Sequence, residues 1–285
     1  MKKFILVTII LSFVGLPILF CSQNDKNPAN NDEDDIPTPE GWELVWHDEF
    51  DGTSIDLNKW EHEVNAQGGG NNELQYYTNR SENSFIENGS LVIQALKENF
   101  TGPEGTRQYT SARLRTLRKG DWKYGRFDIK AKLPFGQGLW PAIWMLPSEW
   151  KYGGWAGSGE IDIMELVGHE PNKVHGTLHY GGEWPNNVQS GKSYTLPQGT
   201  FATDFHLFTI EWDTTQFRWY VDGIFYQSQN QWYTANAPYP APFDQYFHLL
   251  LNVAVGGNWP GDPDNTTVFP QKMVVDYVRI YKSID

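Results

Sequence analysis

Three carboxylates lie within the six-residue segment Glu160–Glu165, which reads Glu-Ile-Asp-Ile-Met-Glu. Side chains alternate between the two faces of a β-strand, so Glu160 and Asp162 share one face and the two isoleucines share the other. Strict alternation would place Glu165 in the core with the isoleucines, where a lone carboxylate is costly to bury. A β-bulge near Met164, which inserts one residue, would return Glu165 to the acidic face. We therefore predict a bulged strand that carries all three acids on one face.

Acids this close together repel one another as anions, so the pKa of at least one carboxyl group is expected to rise. A glycosidase needs such a pair, with one carboxylate ionised and another protonated at the working pH. The alternatives are a solvated acidic strand edge and a cation site, but the apolar residues Ile161, Ile163 and Leu166 favour a buried strand. Strand rise alone separates the backbones of Glu160 and Glu165 by more than about 10 Å. Retaining catalysis needs carboxyls about 5–5.5 Å apart, so sheet curvature and inward-leaning side chains would have to close that gap.

The segment resembles the signature of glycoside hydrolase family 16, whose members are retaining endo-glucanases built on a curved β-jelly-roll. Its five-residue spacing is similar to that of the bulged β-1,3-glucanase branch, whereas licheninases typically lack the extra residue. The likeness extends from Trp42 to Tyr281. It implies that Glu160 is the nucleophile, that Glu165 is the general acid/base, and that Asp162 orients them and tunes their pKa values. It also implies that catalysis needs no organic cofactor.

The resemblance leads us to expect hydrolysis of β-1,3-glucan (laminarin) through a covalent glycosyl-enzyme. Two alternatives stay open at this point. One is an enzyme of the same family with another specificity, such as a mixed-linkage β-1,3-1,4-glucanase or another β-glycan hydrolase. The other is a noncatalytic surface protein that binds glycan, although such a protein would not require both glutamates.

Four tryptophans are candidates for sugar binding. Trp140 and Trp144 are four residues apart on an expected strand, so both can point to the same side and stack on pyranose rings. They could instead be core residues, but the resemblance places both around the sugar that precedes the cleaved bond. Trp155, just before the acidic strand, resembles a cleft aromatic of laminarinases, and Trp259 lies in a laminarinase-like loop as a cleft-edge residue.

Polar candidates flank the tryptophans. His179 matches a family histidine near the acid/base, where it would bind a sugar hydroxyl or tune Glu165; His175 has the same parity in the strand and keeps that assignment open. Asn72 is the preferred sugar contact in a segment that resembles the family's non-reducing side of the cleft. Arg113 is expected to contact sugar or to hold the nucleophile ionised, with an inter-strand ion pair as the alternative.

A structural Ca²⁺ is the one metal that the sequence suggests. Asp276 resembles a family residue that binds Ca²⁺ together with backbone oxygens, and Glu49 and Gly89 are at the matching positions. Oxygen ligands suit this hard cation. The sequence has no cysteine cluster and no Gly-rich phosphate loop, so we expect no transition-metal or nucleotide site.

Short alternating strands must position these residues. Turn residues separate the apolar-polar alternations, and no helical stripe of useful length is present. We therefore predict an all-β fold, a two-sheet antiparallel β-sandwich (curved jelly roll, concanavalin-like) with an open substrate cleft, as one catalytic domain over 41–285. Strands are predicted at 90–96, 110–116, 124–133, 161–167, 174–179, 206–212, 217–221, 246–255 and 272–281, and a hairpin at Asp222-Gly223.

The composition and net charge argue against nucleic acid as a binding partner. The 285 residues include 13 Trp, 14 Tyr and 16 Phe, and 35 acidic residues outnumber 22 basic ones, for a net charge of −13. This charge repels phosphate backbones and anionic lipids, so we expect no nucleic-acid partner. The abundant tryptophan fits either a large β core or platforms for sugar rings. The resemblance to family 16 implies a β-glucan polysaccharide as the partner, and we expect a monomer.

The N-terminal segment predicts export. Two lysines precede the apolar run Phe4–Phe20, and Cys21 follows it directly. This pattern resembles a bacterial lipoprotein signal peptide over 1–20 with a lipid anchor on Cys21, although an ordinary signal peptide cut nearby is the alternative. Residues 21–40 are polar, acidic and contain prolines, as expected of a tether. We expect an extracytoplasmic lipoprotein of the outer membrane or cell surface, in contact with membrane only through this anchor.

Overall fold

Two β-sheets pack against each other in the computed structural model, which describes residues 36–284. The predicted signal peptide, Cys21 and the tether up to residue 35 lie outside the described residues. Within the described part, a single 3₁₀ turn at Gly68–Gly70 is the only helical element, and no helix has the length and apolar character to cross a bilayer. The strands are β1 Trp42–Asp48, β2 Glu61–His62, β3 Gln75–Tyr77, β4 Ser84–Glu87, β5 Ser90–Gly102, β6 Gly105–Ser111, β7 Arg113–Arg115, β8 Asp121–Trp122, β9 Gly125–Lys132, β10 Leu139–Pro147, β11 Glu160–Glu165, β12 Lys173–Gly181, β13 Asn187–Thr195, β14 His206–Trp212, β15 Phe217–Val221, β16 Ile224–Gln229, β17 Phe247–Val255 and β18 Gln271–Ser283.

The sheets have ten and eight strands. The larger runs β16-β15-β14-β9-β18-β5-β6-β3, with β1 paired to β18 and β4 to β5. The smaller runs β13-β12-β11-β10-β17-β7-β2, with β8 paired to β17. Every pairing between these strands is antiparallel except β3 with β6. The predicted all-β, two-sheet sandwich is confirmed.

The predicted strand over 110–116 is wrong in one respect, because it is two strands. β6 ends at Ser111 in the larger sheet, and β7 begins at Arg113 in the smaller one. Ala112, fully buried between them, is where the chain passes from one sheet to the other. A strand that switches sheets forms a corner of a sandwich, and its alternating pattern continues across the corner.

Large aromatic side chains fill the space between the sheets. Trp60, Trp212 and Trp219 are almost completely buried, and the Trp212 ring lies parallel to Phe217 with 5.6 Å between ring centroids. Trp46 is half-buried against the same core. Each such ring removes a large apolar area from water, which stabilises the packing of one sheet on the other.

The hairpin between β15 and β16 forms as predicted. Val221 pairs with Ile224, so Asp222 and Gly223 are the two turn residues. Their φ angles are 51° and 76°, which is the left-handed region that a two-residue hairpin turn requires.

Candidate active site

A one-residue bulge shapes the acidic strand β11. On the β10 side Ile143 pairs with Met164 and Trp144 pairs with Asp162, so Ile163 has no partner of its own. On the β12 side the four residues of β11 from Asp162 to Glu165 lie opposite only three of β12, from Thr177 to His175. Ile163 and Met164 are therefore both buried, while the carboxylate of Glu165 turns to the face that holds the other two acids. The bulge has the position and the effect that the sequence predicts.

The three acids lie in the floor of a cavity of about 1020 Å³. The cavity covers the outer face of the eight-stranded sheet, the face turned away from the core. Six of the seven predicted sugar contacts line it: Arg113, Trp140, Trp144, Trp155, His179 and Trp259. These six predicted side chains therefore lie in the same cavity as the three acids, and their contacts with sugar stay a prediction.

Each glutamate accepts a hydrogen bond from a different indole. Trp155 Nε1 donates to Glu160 Oε2 over 2.8 Å, and Trp140 Nε1 donates to Glu165 Oε1 over 3.0 Å. These bonds fix the two carboxylates independently, one from the loop before β11 and one from the neighbouring strand β10. Both indoles also line the cavity.

His179 lies between two of the acids. Its Nε2 is 3.2 Å from Asp162 Oδ2 and 3.6 Å from Glu160 Oε1. Burial alone lowers the pKa of His179, but the hydrogen bond to Asp162 and the charges of the three acids outweigh it and raise the pKa to about 9. The imidazolium thus occupies the place where a metal cation would balance Glu160 and Asp162, which argues against a cation site there.

Burial raises the pKa of both glutamates, and the charge of Asp162 adds to this effect. The pKa of Glu160 rises to about 7, and that of Glu165 rises well above its ordinary range. Glu160 has more groups that favour its ionised form, because His179, Trp155 and Arg113 all lower its pKa. His179 and the Trp140 indole lower the pKa of Glu165, but burial and the charges of Asp162 and Glu160 outweigh them. Glu160 is thus the better placed to be a carboxylate and Glu165 to carry a proton.

Arg113 is held by aromatic rings and acids on the β7 side of the cavity. Its guanidinium lies 4.5 Å from the Tyr77 ring centroid and 5.3 Å from that of Trp144. It also lies 3.9 Å from Glu73 Oε2 and 3.7 Å from Glu63 Oε2. Arg113 is therefore part of an ion-pair network, which was one expectation. It also lines the cavity, and its contact with sugar, the other expectation, stays a prediction.

Asn72 is the one predicted sugar contact that does not line the cavity. Its side-chain amide donates to Asn258 Oδ1 over 2.9 Å and so joins two loops. The preceding residue, Asn71, lines the cavity instead. Asn72 has a φ of 58°, in the left-handed region that asparagine adopts more readily than most residues.

Asn252 is a site residue that sequence reasoning missed. It is buried in the cavity floor on β17, where its Oδ1 accepts from Trp144 Nε1 over 2.7 Å and its Nδ2 donates to Tyr77 over 3.1 Å. An amide within the apolar run Leu249–Val255 was the available signal, since a buried amide needs partners. Trp184, with 72% of its surface exposed, also lines the cavity and was not singled out.

A comparison of the sequence with protein families decides the classification. The profile of "Glycosyl hydrolases family 16" matches residues 59–279. The chain belongs to this family. It is therefore a glycoside hydrolase, as the acidic strand predicts.

Within family 16, the chain is similar to glucanases and to a laminarinase. The chain is 45% identical to "Beta-glucanase" of Rhodothermus marinus, over 95% of this chain and 92% of that protein. It is 43% identical to "Glucan endo-1,3-beta-glucosidase A1" of Niallia circulans over 95% of this chain, which spans only 42% of that longer protein. In structure it matches the laminarinase catalytic domain of Thermotoga maritima MSB8 with a TM-score of 0.78 and 45% identity, covering 86% of this chain and 100% of that one.

The family 16 resemblance also suggested a Ca²⁺ site, and the register brings its three residues together beside the middle of β18, where β1 ends and β5 begins. Asp48 pairs with Val278 and Leu91 with Val275, so Glu49 and Gly89 each adjoin the strand segment that contains Asp276. Asp276 Oδ2 lies 3.1 Å from Lys130 Nζ. The Glu49 carboxylate accepts two hydrogen bonds of 2.9 Å from Arg279. The Ca²⁺ ligand that the prediction assigns to Glu49 is its backbone oxygen, which these bonds do not involve. The donor set, all oxygen, fits Ca²⁺.

Proposed function

We propose that this protein is a retaining endo-β-1,3-glucanase of laminarinase type. The observation that carries the proposal is the placement of Glu160 and Glu165 on one face of β11, at the floor of a tryptophan-walled cavity. The names of the relatives, a glucan endo-1,3-β-glucosidase and a laminarinase, support β-1,3-glucan as the substrate.

In this mechanism Glu160 Oε attacks the anomeric carbon while Glu165 gives its proton to the glycosidic oxygen. The bond between the anomeric carbon and the leaving sugar breaks as the ester bond to Glu160 forms. Glu165, now ionised, then takes a proton from water, and the resulting hydroxide displaces Glu160 from the anomeric carbon. Two inversions give net retention. Asp162 and His179 hold the charge balance beside Glu160.

The test uses laminarin and two variants. Glu160→Ser and Glu165→Ala should each abolish the release of reducing sugar, while circular dichroism and laminarin affinity stay unchanged. Glu43→Ala is a matched control that should leave the rate unchanged, since Glu43 pairs with Lys282 on the larger sheet and does not line the cavity. Near-normal turnover in either catalytic variant would refute the mechanism. An unmodified protein that binds laminarin without cleaving it would instead identify a glycan-binding protein.

The specificity is tested with a small panel of polysaccharides. The proposal predicts oligosaccharides from laminarin, formed by internal cleavage, and slower release from mixed-linkage glucan. Faster cleavage of mixed-linkage glucan or of a galactan would assign the protein to another specificity of the family.

We further propose the structural Ca²⁺ at Glu49, Gly89 and Asp276. The convergence of an acidic side chain with two backbone positions beside the middle of β18 supports it. Chelation with EDTA should lower the melting temperature, and Ca²⁺ should restore it. Asp276→Asn should abolish this response to Ca²⁺, whereas an equal melting temperature with and without EDTA in the unmodified protein would exclude the site.

Export as a lipoprotein is also a proposal, supported by the apolar run before Cys21. In a bacterial host the unmodified chain should enter the membrane fraction and label with radioactive palmitate. Cys21→Ala should move it to the soluble fraction. A variant that remains in the membrane fraction would refute the lipid anchor.

A further inference from the structure

The cavity is long enough to bind sugars on both sides of the catalytic pair. It crosses the eight-stranded sheet from Arg113 on β7 to Gln189 on β13, with Glu160 and Glu165 on β11 between them. The family likeness implies that the segment beginning at Asn71 binds the non-reducing part of the substrate, and Glu73 of this segment lies 3.9 Å from Arg113 on β7. The β12–β13 side therefore lies where the leaving part of the glucan must bind.

The most exposed tryptophan of the described residues stands at this second end. Trp184 is 72% exposed and lies in the loop between β12 and β13, yet it also lines the cavity. The exposed indole is not buried by the protein itself. A ligand that covers it therefore gains the free energy of removing this apolar surface from water. Sugar rings offer a flat apolar C–H face that fits an indole.

The loop that carries Trp184 is fixed to the active site. The backbone N–H of Trp184 donates to the Trp155 carbonyl over 2.8 Å, and Trp155 in turn holds Glu160 through its indole. The neighbouring Glu183 accepts a hydrogen bond of 2.8 Å from the backbone of Gly154 and another of 2.8 Å from that of Asn186. A loop held at these points presents the indole with little ordering cost on binding.

We propose that Trp184 is a stacking platform for the first sugars of the leaving group, and for a glucan acceptor that replaces water in the second step. Gln189, exposed on β13 beside His179, is placed to hydrogen-bond the hydroxyls of the same sugars. This inference rests on the proposed function, because it assigns the leaving-group side of that cleft.

An experiment on the covalent intermediate distinguishes binding at the leaving-group side from binding of the whole substrate. A 2-deoxy-2-fluoro-β-laminaribiosyl fluoride would load Glu160 and leave the leaving-group side empty, so that added laminaribiose binds there alone. In Trp184→Ala the laminaribiose concentration for half-maximal reactivation should rise about tenfold, equivalent to about 1.4 kcal/mol. Reactivation by water alone should not change, and Trp184→Phe should recover most of the acceptor effect.

Trp150→Ala is the matched control, because Trp150 is 48% exposed but does not line the cavity. It should behave like the unmodified enzyme in both reactivation measurements. An unchanged acceptor dependence in Trp184→Ala would overturn this inference and leave the proposed function standing. If mass spectrometry finds no label on Glu160 of the unmodified enzyme, both the proposed function and this inference fail.

Discussion

His179 Nε2 lies 3.2 Å from Asp162 Oδ2, and this pair is the charge centre of the site. Asp162 is almost fully buried, so its carboxylate has no bulk water to stabilise it. The imidazolium supplies that stabilisation and, at 3.6 Å, also faces Glu160. A positive charge at this point favours an ionised nucleophile without removing the proton from Glu165 at the other end of the strand.

Replacing His179 with glutamine should move the acid limb of the pH profile of kcat/KM to higher pH. His179 carries its charge below a pKa of about 9, and that charge lowers the pKa of Glu160. Without it the pKa of Glu160 rises above about 7, so the carboxylate forms only at higher pH. We expect a shift of about one pH unit, measured on laminarin. An acid limb that stays in place or moves to lower pH would contradict the assignment of this charge.

The two indole donors give a matched pair of variants. Each hydrogen bond lowers the pKa of its acceptor. Trp155→Phe should therefore raise the pKa of Glu160 and shift the acid limb upward. Trp140→Phe should raise the pKa of Glu165 and shift the alkaline limb upward. The pH profiles of both variants check this, and a shift of the same limb in both would show that the two bonds do not act on separate groups.

Trp219 should stabilise the catalytic strand from behind. This core indole on β15 donates to the backbone carbonyl of Asp162 over 3.0 Å, at the start of the bulge. Trp219→Phe removes the donor and leaves a buried carbonyl unpaired, at a cost of about 1–3 kcal/mol in the free energy of unfolding. Urea unfolding measures the change.

Trp212→Phe is the control for Trp219→Phe. Trp212 is equally buried, but its Nε1 has no hydrogen-bond partner among the described residues. The same change of ring there removes apolar surface without breaking a hydrogen bond. Equal losses of stability in the two variants would show that the bond to Asp162 contributes nothing.

Asn252 should act on substrate binding through Trp144. Its amide oxygen holds the Trp144 indole, and its amide nitrogen bonds to Tyr77 beneath Arg113. In Asn252→Ala the indole loses its fixed orientation, so KM for laminarin should rise about tenfold while kcat changes less than twofold. Initial-rate kinetics decide the case. A fall in kcat with an unchanged KM would place Asn252 in the chemical step instead.

Alternation of apolar and polar residues predicted most of the sandwich, because each sheet has one face in the core. His206–Trp212 and Phe217–Val221 are strands with the predicted bounds. The bulge was predictable for a physical reason, since only an extra residue keeps Glu165 out of the core. The polar edge strand Asn187–Thr195 was not predicted, because both of its faces are largely exposed and no alternation marks it.

The site residues that escaped prediction depend on backbone detail. Asn71 lines the cavity and Asn72 does not, and two adjacent residues of the same type give the sequence no means to distinguish them. Trp184 reaches the cavity because its loop is hydrogen-bonded to the backbone of Trp155, which belongs to a different segment of the chain. Such contacts join segments that are distant in the sequence, and the alternation of apolar and polar residues does not reveal them.

The two indole hydrogen bonds have a spectroscopic consequence. An Nε1–H resonance moves when the charge of its acceptor changes, and each catalytic glutamate has its own indole donor. The ¹H–¹⁵N signals of Trp155 and Trp140 would therefore report the protonation of Glu160 and Glu165 separately, in the resting enzyme and without any substrate. The molecule carries an internal label on each of its two reacting carboxyl groups.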